Sequence, residues 1–290
     1  MSKPLATFRR ILSQQIITGL LNEALFVNHL QKDIKNGSVF MAIRNNTVDF
    51  YYHGNNLFKY IKGNFQTHYK FATALNLDTV SSYVTQNDLQ NASVVTDFNT
   101  GYDKIKANCK QYAKQEAGGV AELYKKFCYA HSQDSIILLD IEASFAASGS
   151  NTSDRLDLVF YHLPSRIIFF VEAKHYSNQA IRASINKAPK VISQINNYQS
   201  TLNLKQKEVV SAYCSYVTTI NQLLNLSLPL PVGIKTRVPL LIFGFDSDQK
   251  EGRLKNQVIE NPEYIKNNIL IKAVGSEKNV KPNELWKLIP

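Results

Sequence analysis

At 290 residues the chain has room for one large domain or two modest ones. With 44% hydrophobic and 19% charged residues, it carries too much apolar material for a disordered chain. The formal net charge of +10 leaves two readings, a solvated basic surface or a polyanionic partner. Cys109, Cys128 and Cys214 are scattered, odd in number and without a CxxC pair. That pattern points to reduced thiols of a cytoplasmic protein and away from a disulfide framework or zinc site. The opening MSKPLATFRR offers no apolar run of the signal-peptide kind, and no later run reaches membrane-spanning length.

In chain order, residues 11–30 repeat apolar side chains at helical spacing and predict an amphipathic helix, with Gly37 ending the segment that follows. Residues 39–69 then change character. Four short β-prone runs are separated by Asn45-Asn46, Gly54-Asn55-Asn56 and Gly63-Asn64, which predicts an antiparallel meander. Its aromatics, Tyr51, Tyr52, Phe58, Tyr60, Phe65 and Tyr69, alternate with Arg44, Lys59, Lys62 and Lys70. Two uses fit that composition: a stacking platform for nucleic acid, or packing against a helix. Residues 71–108 are polar; Thr79 to Leu89 is read as helical, and turn signals in DFNTGY place a domain boundary near residue 100. The expected domains are therefore 1–100 and 101–290.

Lys110 to His131 reads as a helix broken or started at Gly118-Gly119, with an apolar stripe of Val120, Leu123, Tyr124, Phe127 and Cys128. At about 100° per residue Glu116 falls on that stripe and Glu122 on the opposite face. Ile136 to Phe145 is a strand with Ile137, Leu139, Ile141 and Ala143 on one face and Asp140 and Glu142 on the other. Arg155 to Lys174 then reads as strand, tight turn and strand, the turn marked by His162-Leu-Pro-Ser-Arg. If this hairpin is symmetric about Pro164 and Ser165, Asp157 lies opposite Glu172, with Lys174 on the same face. If the preceding hairpin is centred near Gly149 and Ser150, Glu142 joins them in a cross-strand row, neighbours about 5 Å apart. The alternative pairs Glu142 with Lys174 or Arg155. Acids clustered on an apolar sheet cost energy unless something binds them. Pro189 opens a helix with Val191, Ile195, Tyr198 and Leu202 on its apolar side, and Gln194 one turn before Tyr198. A second long helix is expected from Lys205 to Leu226, then a buried strand over Pro239–Phe245 and a last one over Ile269–Val274.

Asp157 followed by Glu172-Ala173-Lys174 resembles the PD-(D/E)XK nuclease superfamily, and Gln194-Ile-Asn-Asn-Tyr198 resembles the Gln-x-x-x-Tyr helix of one of its branches. The resemblance covers roughly the second half of the chain. It implies a restriction-endonuclease-like α/β core, a mixed central sheet flanked by helices, beside the N-terminal helix and meander. It further implies hydrolysis of DNA phosphodiester bonds with Mg²⁺ (or Mn²⁺), in defence against foreign DNA such as phage, or in repair. Asp157, Glu172 and the Ala173 carbonyl would be the metal ligands, and Lys174 would orient water and offset charge. Gln194 and Tyr198 would brace the site. Relatives often add an acid from the helix before the first core strand, for which Glu116 is the first choice and Glu122 the second; Glu142 is a further candidate. A homodimer is compatible with the resemblance, as is an ATP-driven partner. No phosphate-binding loop is encoded in this chain. The rival reading is a catalytically inactive nucleic-acid-binding or protein-interaction module on the same fold.

Overall fold

The computed structural model describes residues 7–73, 82–90, 94–113, 115–145, 155–184 and 187–290. It is a mixed α/β protein with a five-stranded antiparallel sheet, a six-stranded mixed sheet and, among the described residues, nine α-helices. These elements fall into two compact units. One comprises residues 9–133 and 214–228, the other Phe8 with residues 134–213 and 229–290. The boundary expected near residue 100 lies inside the first of these.

In that first unit the predicted N-terminal helix is broken. Helix α1 (Gln14–Asn22) is capped by the Ser13 side chain and stops at Glu23, whose backbone is extended. A π-helical turn, Phe26–Leu30, leads into α2 (Gln31–Lys35). The break lets both pieces bury their apolar side, Ile17 and Leu20 before it and Phe26, Leu30 and Ile34 after it. Gly37 closes the segment at φ +75°, in the left-handed region that favours glycine; a Cβ there would meet the His131 ring.

The meander forms as read: β1 (Phe40–Ile43), β2 (Thr47–Tyr52), β3 (Asn55–Ile61) and β4 (Asn64–His68), each antiparallel to the next. Two of its turns are His53-Gly54 and Lys62-Gly63, all four residues at positive φ, the geometry that matches strand twist in two-residue hairpins. After α3 (Tyr69–Ala72) comes a correction: the helix expected over Thr79–Leu89 is a strand, β5 (Tyr83–Thr85), and a 3₁₀ turn at Gln86–Gln90; residues 79–81 lie outside the described residues. β5 pairs with β4 and so covers what would be an open sheet edge. Of the two uses open to the meander aromatics, packing is the one four of them show, while Tyr52 and Tyr69 are half-buried. Tyr51, Phe58, Tyr60 and Phe65 are all buried, and Phe58 lies against Tyr102 of α4 (Tyr102–Gln111). Each such burial is worth about 1.5–3 kcal/mol, so these four serve the core of the sheet. Helix α5 (Gln115–Phe127) runs through Gly118-Gly119, where the sequence suggested a break, and buries Leu123, Tyr124 and Phe127.

In the second unit β6 (Ile136–Ser144), β7 (Arg155–His162) and β8 (Ile167–His175) are antiparallel neighbours. The chain then crosses through α6 (Lys190–Leu224), of which residues 190–213 belong to this unit and in which the two expected helices are continuous across a kink at Lys205. The short β9 (Gly233–Ile234) pairs with the start of β8. Then β10 (Leu240–Phe243), buried throughout, runs parallel to β8 and continues the sheet. Helices α7 (Ser247–Gln249) and α8 (Pro262–Lys266), strand β11 (Ile271–Ala273) and helix α9 (Pro282–Leu288) complete it, with β11 parallel to β10.

A β-bulge in β6 departs from the sequence reading. Leu138 opposes Phe160, but Asp140 opposes Val159, so Leu139 is the extra residue. The insertion moves Ile137 off the face of Ile141 and onto that of Asp140, Val159 and Asp157.

Candidate active site

The β7–β8 register has Leu158 opposite Val171 and Phe160 opposite Phe169, as a turn symmetric about Pro164 and Ser165 requires. One step further, at Asp157 and Glu172, the backbone ladder ends. The Ala173 amide donates instead to Asp157 Oδ2 at 2.9 Å, so a side-chain carboxylate takes the place of a strand carbonyl. On the other edge the Glu172 amide donates to the Pro239 carbonyl, at the entry to β10. Local pairing thus fixes both carboxylates from their backbones outward.

Lys174 completes the arrangement. Its Nζ lies 2.9 Å from Asp157 Oδ2, 2.6 Å from Glu172 Oε1 and 3.2 Å from the Ala173 carbonyl. Three oxygens from two strands therefore converge on one point. Glu172 is 1% exposed and Lys174 7%; the second carboxylate oxygen of Glu172, Oε2, is buried with no hydrogen-bond partner. Burial foremost, and the Asp157 charge next, push the Glu172 carboxyl well above the usual range, against the pull of Lys174. The oxygen set of two carboxylates and a backbone carbonyl, with an unused buried acceptor, fits a hard divalent cation.

The remaining predicted residues separate. Glu142 falls at the register position of Asp157, since Ile141 opposes Leu158 and Ala143 opposes Leu156. Its backbone, however, is at φ +49°, out of the pleat, and its carboxylate meets Arg155 at 2.9 Å. Of the two arrangements the sequence allowed for Glu142, the ion pair with Arg155 is the one that forms and the three-acid row does not; no group of three or more acid, histidine or cysteine ligands occurs among the described residues. Glu116 is half-buried on α5, in the unit that does not hold Asp157 and Glu172. Tyr198, 3% exposed, donates its hydroxyl to the Arg155 carbonyl at 2.9 Å and ties α6 to the start of β7, two residues before Asp157. Gln194, one turn earlier, keeps a buried Oε1 without a hydrogen-bond partner.

Sequence reasoning gave no role to Asp140, which is fully buried on the same sheet face as Asp157. It accepts from the Ile141 amide at 2.8 Å and from the Tyr213 hydroxyl at 3.1 Å. An aspartate within ILLDIEA was the available signal. His175 is a rim residue: it bonds Ser177 and lies across Gly244, whose φ of +80° and missing Cβ make room for the ring.

Fold and site together define a mixed α/β protein with a buried carboxylate–lysine cluster at a break in its central ladder. No family model, no curated protein and no solved structure matches the chain.

Proposed function

We propose that this chain is a metal-dependent nuclease acting on DNA. The observation that carries the reading is the convergence of Asp157 Oδ2, Glu172 Oε1 and the Ala173 carbonyl on one point of a buried sheet. Buried acids at such cost are characteristic of sites that work on charge. Support also comes from topology, three antiparallel strands followed by a crossover helix and a strand parallel to the third. The net charge of +10 suits a polyanionic substrate.

Asp157, Glu172 and the Ala173 carbonyl would hold Mg²⁺ or Mn²⁺, which when bound supplies Lewis acidity and an activated water. Asp157 is oriented for this by the Ala173 amide, and Glu172 is held by its place in the ladder. Lys174 brings a positive charge to where a phosphorane would build negative charge. Tyr198 keeps the approach strand in place through the Arg155 carbonyl.

The test is incubation of the purified protein with linear, circular and single-stranded DNA in Mg²⁺, Mn²⁺ or EDTA, beside Asp157→Asn. Cleavage that needs metal and fails in the variant supports the reading. Salt-sensitive DNA affinity without cleavage in any metal would make the chain a binding module instead.

A further inference from the structure

The Lys174 ammonium occupies the centre of the very oxygens that would hold the metal. Resting on the metal-site reading above, we propose that Lys174 is the resident counter-ion of this cluster and that a divalent cation binds by displacing it. Lys174 then becomes available for chemistry only in the metal-loaded protein.

The geometry argues for exchange and against coexistence. The ammonium has three N–H donors, and the cluster offers it three acceptors, at 2.9, 2.6 and 3.2 Å. A Mg²⁺ ion would need those same oxygens at about 2.0–2.1 Å, which leaves no place between them for a nitrogen of like charge. Charge runs the same way. With both carboxylates ionised, as ligation of a metal requires, one ammonium leaves one negative charge unmatched, whereas a divalent ion neutralises both. Glu172 Oε2, buried and without a partner, is acceptor capacity that the lysine leaves unused. A cation that takes six ligands can recruit it. The four-carbon stem of lysine lets the ammonium leave without moving the strand.

Exchange has a measurable consequence, because the metal must first break the lysine contacts. Mn²⁺ affinity would be measured by calorimetry in mildly alkaline buffer, on the full chain as wild type, Lys174→Met and Glu172→Gln. In parallel, amine labelling of Lys174 in the wild type, with Mn²⁺ or EDTA, would be followed by peptide mass spectrometry. Lys174→Met should bind Mn²⁺ more tightly by roughly ten- to a hundredfold, the equilibrium worth of one charge-assisted hydrogen bond. Lys174 should also label faster in Mn²⁺ than in EDTA. If the wild type binds Mn²⁺ and Glu172→Gln does not, yet Lys174→Met binds no tighter and labelling is unchanged, the exchange is wrong and the metal site stands. If the wild type binds no Mn²⁺, the metal-site reading itself fails. Should Lys174→Met not fold, the labelling rate alone decides.

Discussion

Replacing Lys174 by Met in the metal-free protein removes the positive charge that bridges Asp157 and Glu172. What remains is two facing carboxylates, with side-chain exposures of 21% and 1%. Breaking a buried ion pair by deleting one partner costs about 3–5 kcal/mol. The low end applies here, because Asp157 is partly solvated and Glu172, already biased toward its neutral form, takes up a proton. Glu172→Gln does the opposite. It replaces the most deeply buried acid of the cluster by a neutral group and leaves the Asp157–Lys174 pair at 2.9 Å, so stability should hold or rise. Urea unfolding in EDTA separates the two: the midpoint of Lys174→Met should fall by about 1 M, that of Glu172→Gln should not fall. A Lys174→Met protein as stable as wild type, or a Glu172→Gln protein less stable than Lys174→Met, would refute this electrostatic account of the cluster.

Three further outcomes follow from the structure. Tyr213→Phe removes a hydroxyl that donates to fully buried Asp140 at 3.1 Å and should cost about 1.5–3 kcal/mol in chemical denaturation. At Asp33, burial favours the neutral acid, but hydrogen bonds from Lys106 and Tyr102 and the Lys106 charge outweigh it and hold the carboxyl below its ordinary value of 3.8. Its contribution is complete above that value and is lost as pH falls through the lower folded-state one, so Asp33→Asn should flatten the acid limb of a stability–pH curve. Gly37→Ala places a side chain at φ +75° and against the His131 ring, and should lower stability by more than about 1 kcal/mol by thermal melting.

How much was legible depended on how local the signal was. The β7–β8 hairpin was readable because its turn residues and the alternation of Asp157, Glu172 and Lys174 lie within one short stretch. The meander was readable for the same reason, Asn46, Gly54 and Gly63 marking its turns. The bulge at Leu139 was not, because an inserted apolar residue in an apolar strand leaves no mark in composition. Nor was the left-handed backbone at Glu142, which turns an expected member of the acid row toward Arg155. The burial of Tyr51, Phe58, Tyr60 and Phe65 is set by distant partners such as Tyr102, and alternation with lysines left packing and stacking both open. Alternation put Lys174 on the face of Glu172, but it could not show the ammonium folding back onto the Ala173 carbonyl.

The central claim is that Asp157, Glu172 and the Ala173 carbonyl hold a divalent cation, and a crystal grown or soaked with Mn²⁺ tests it most directly. Anomalous scattering should place one peak among those three oxygens, at roughly the 2.0–2.1 Å ligand distances of a Mg²⁺-type site. A peak elsewhere, or no peak with the Lys174 ammonium still seated among the three oxygens, would contradict it.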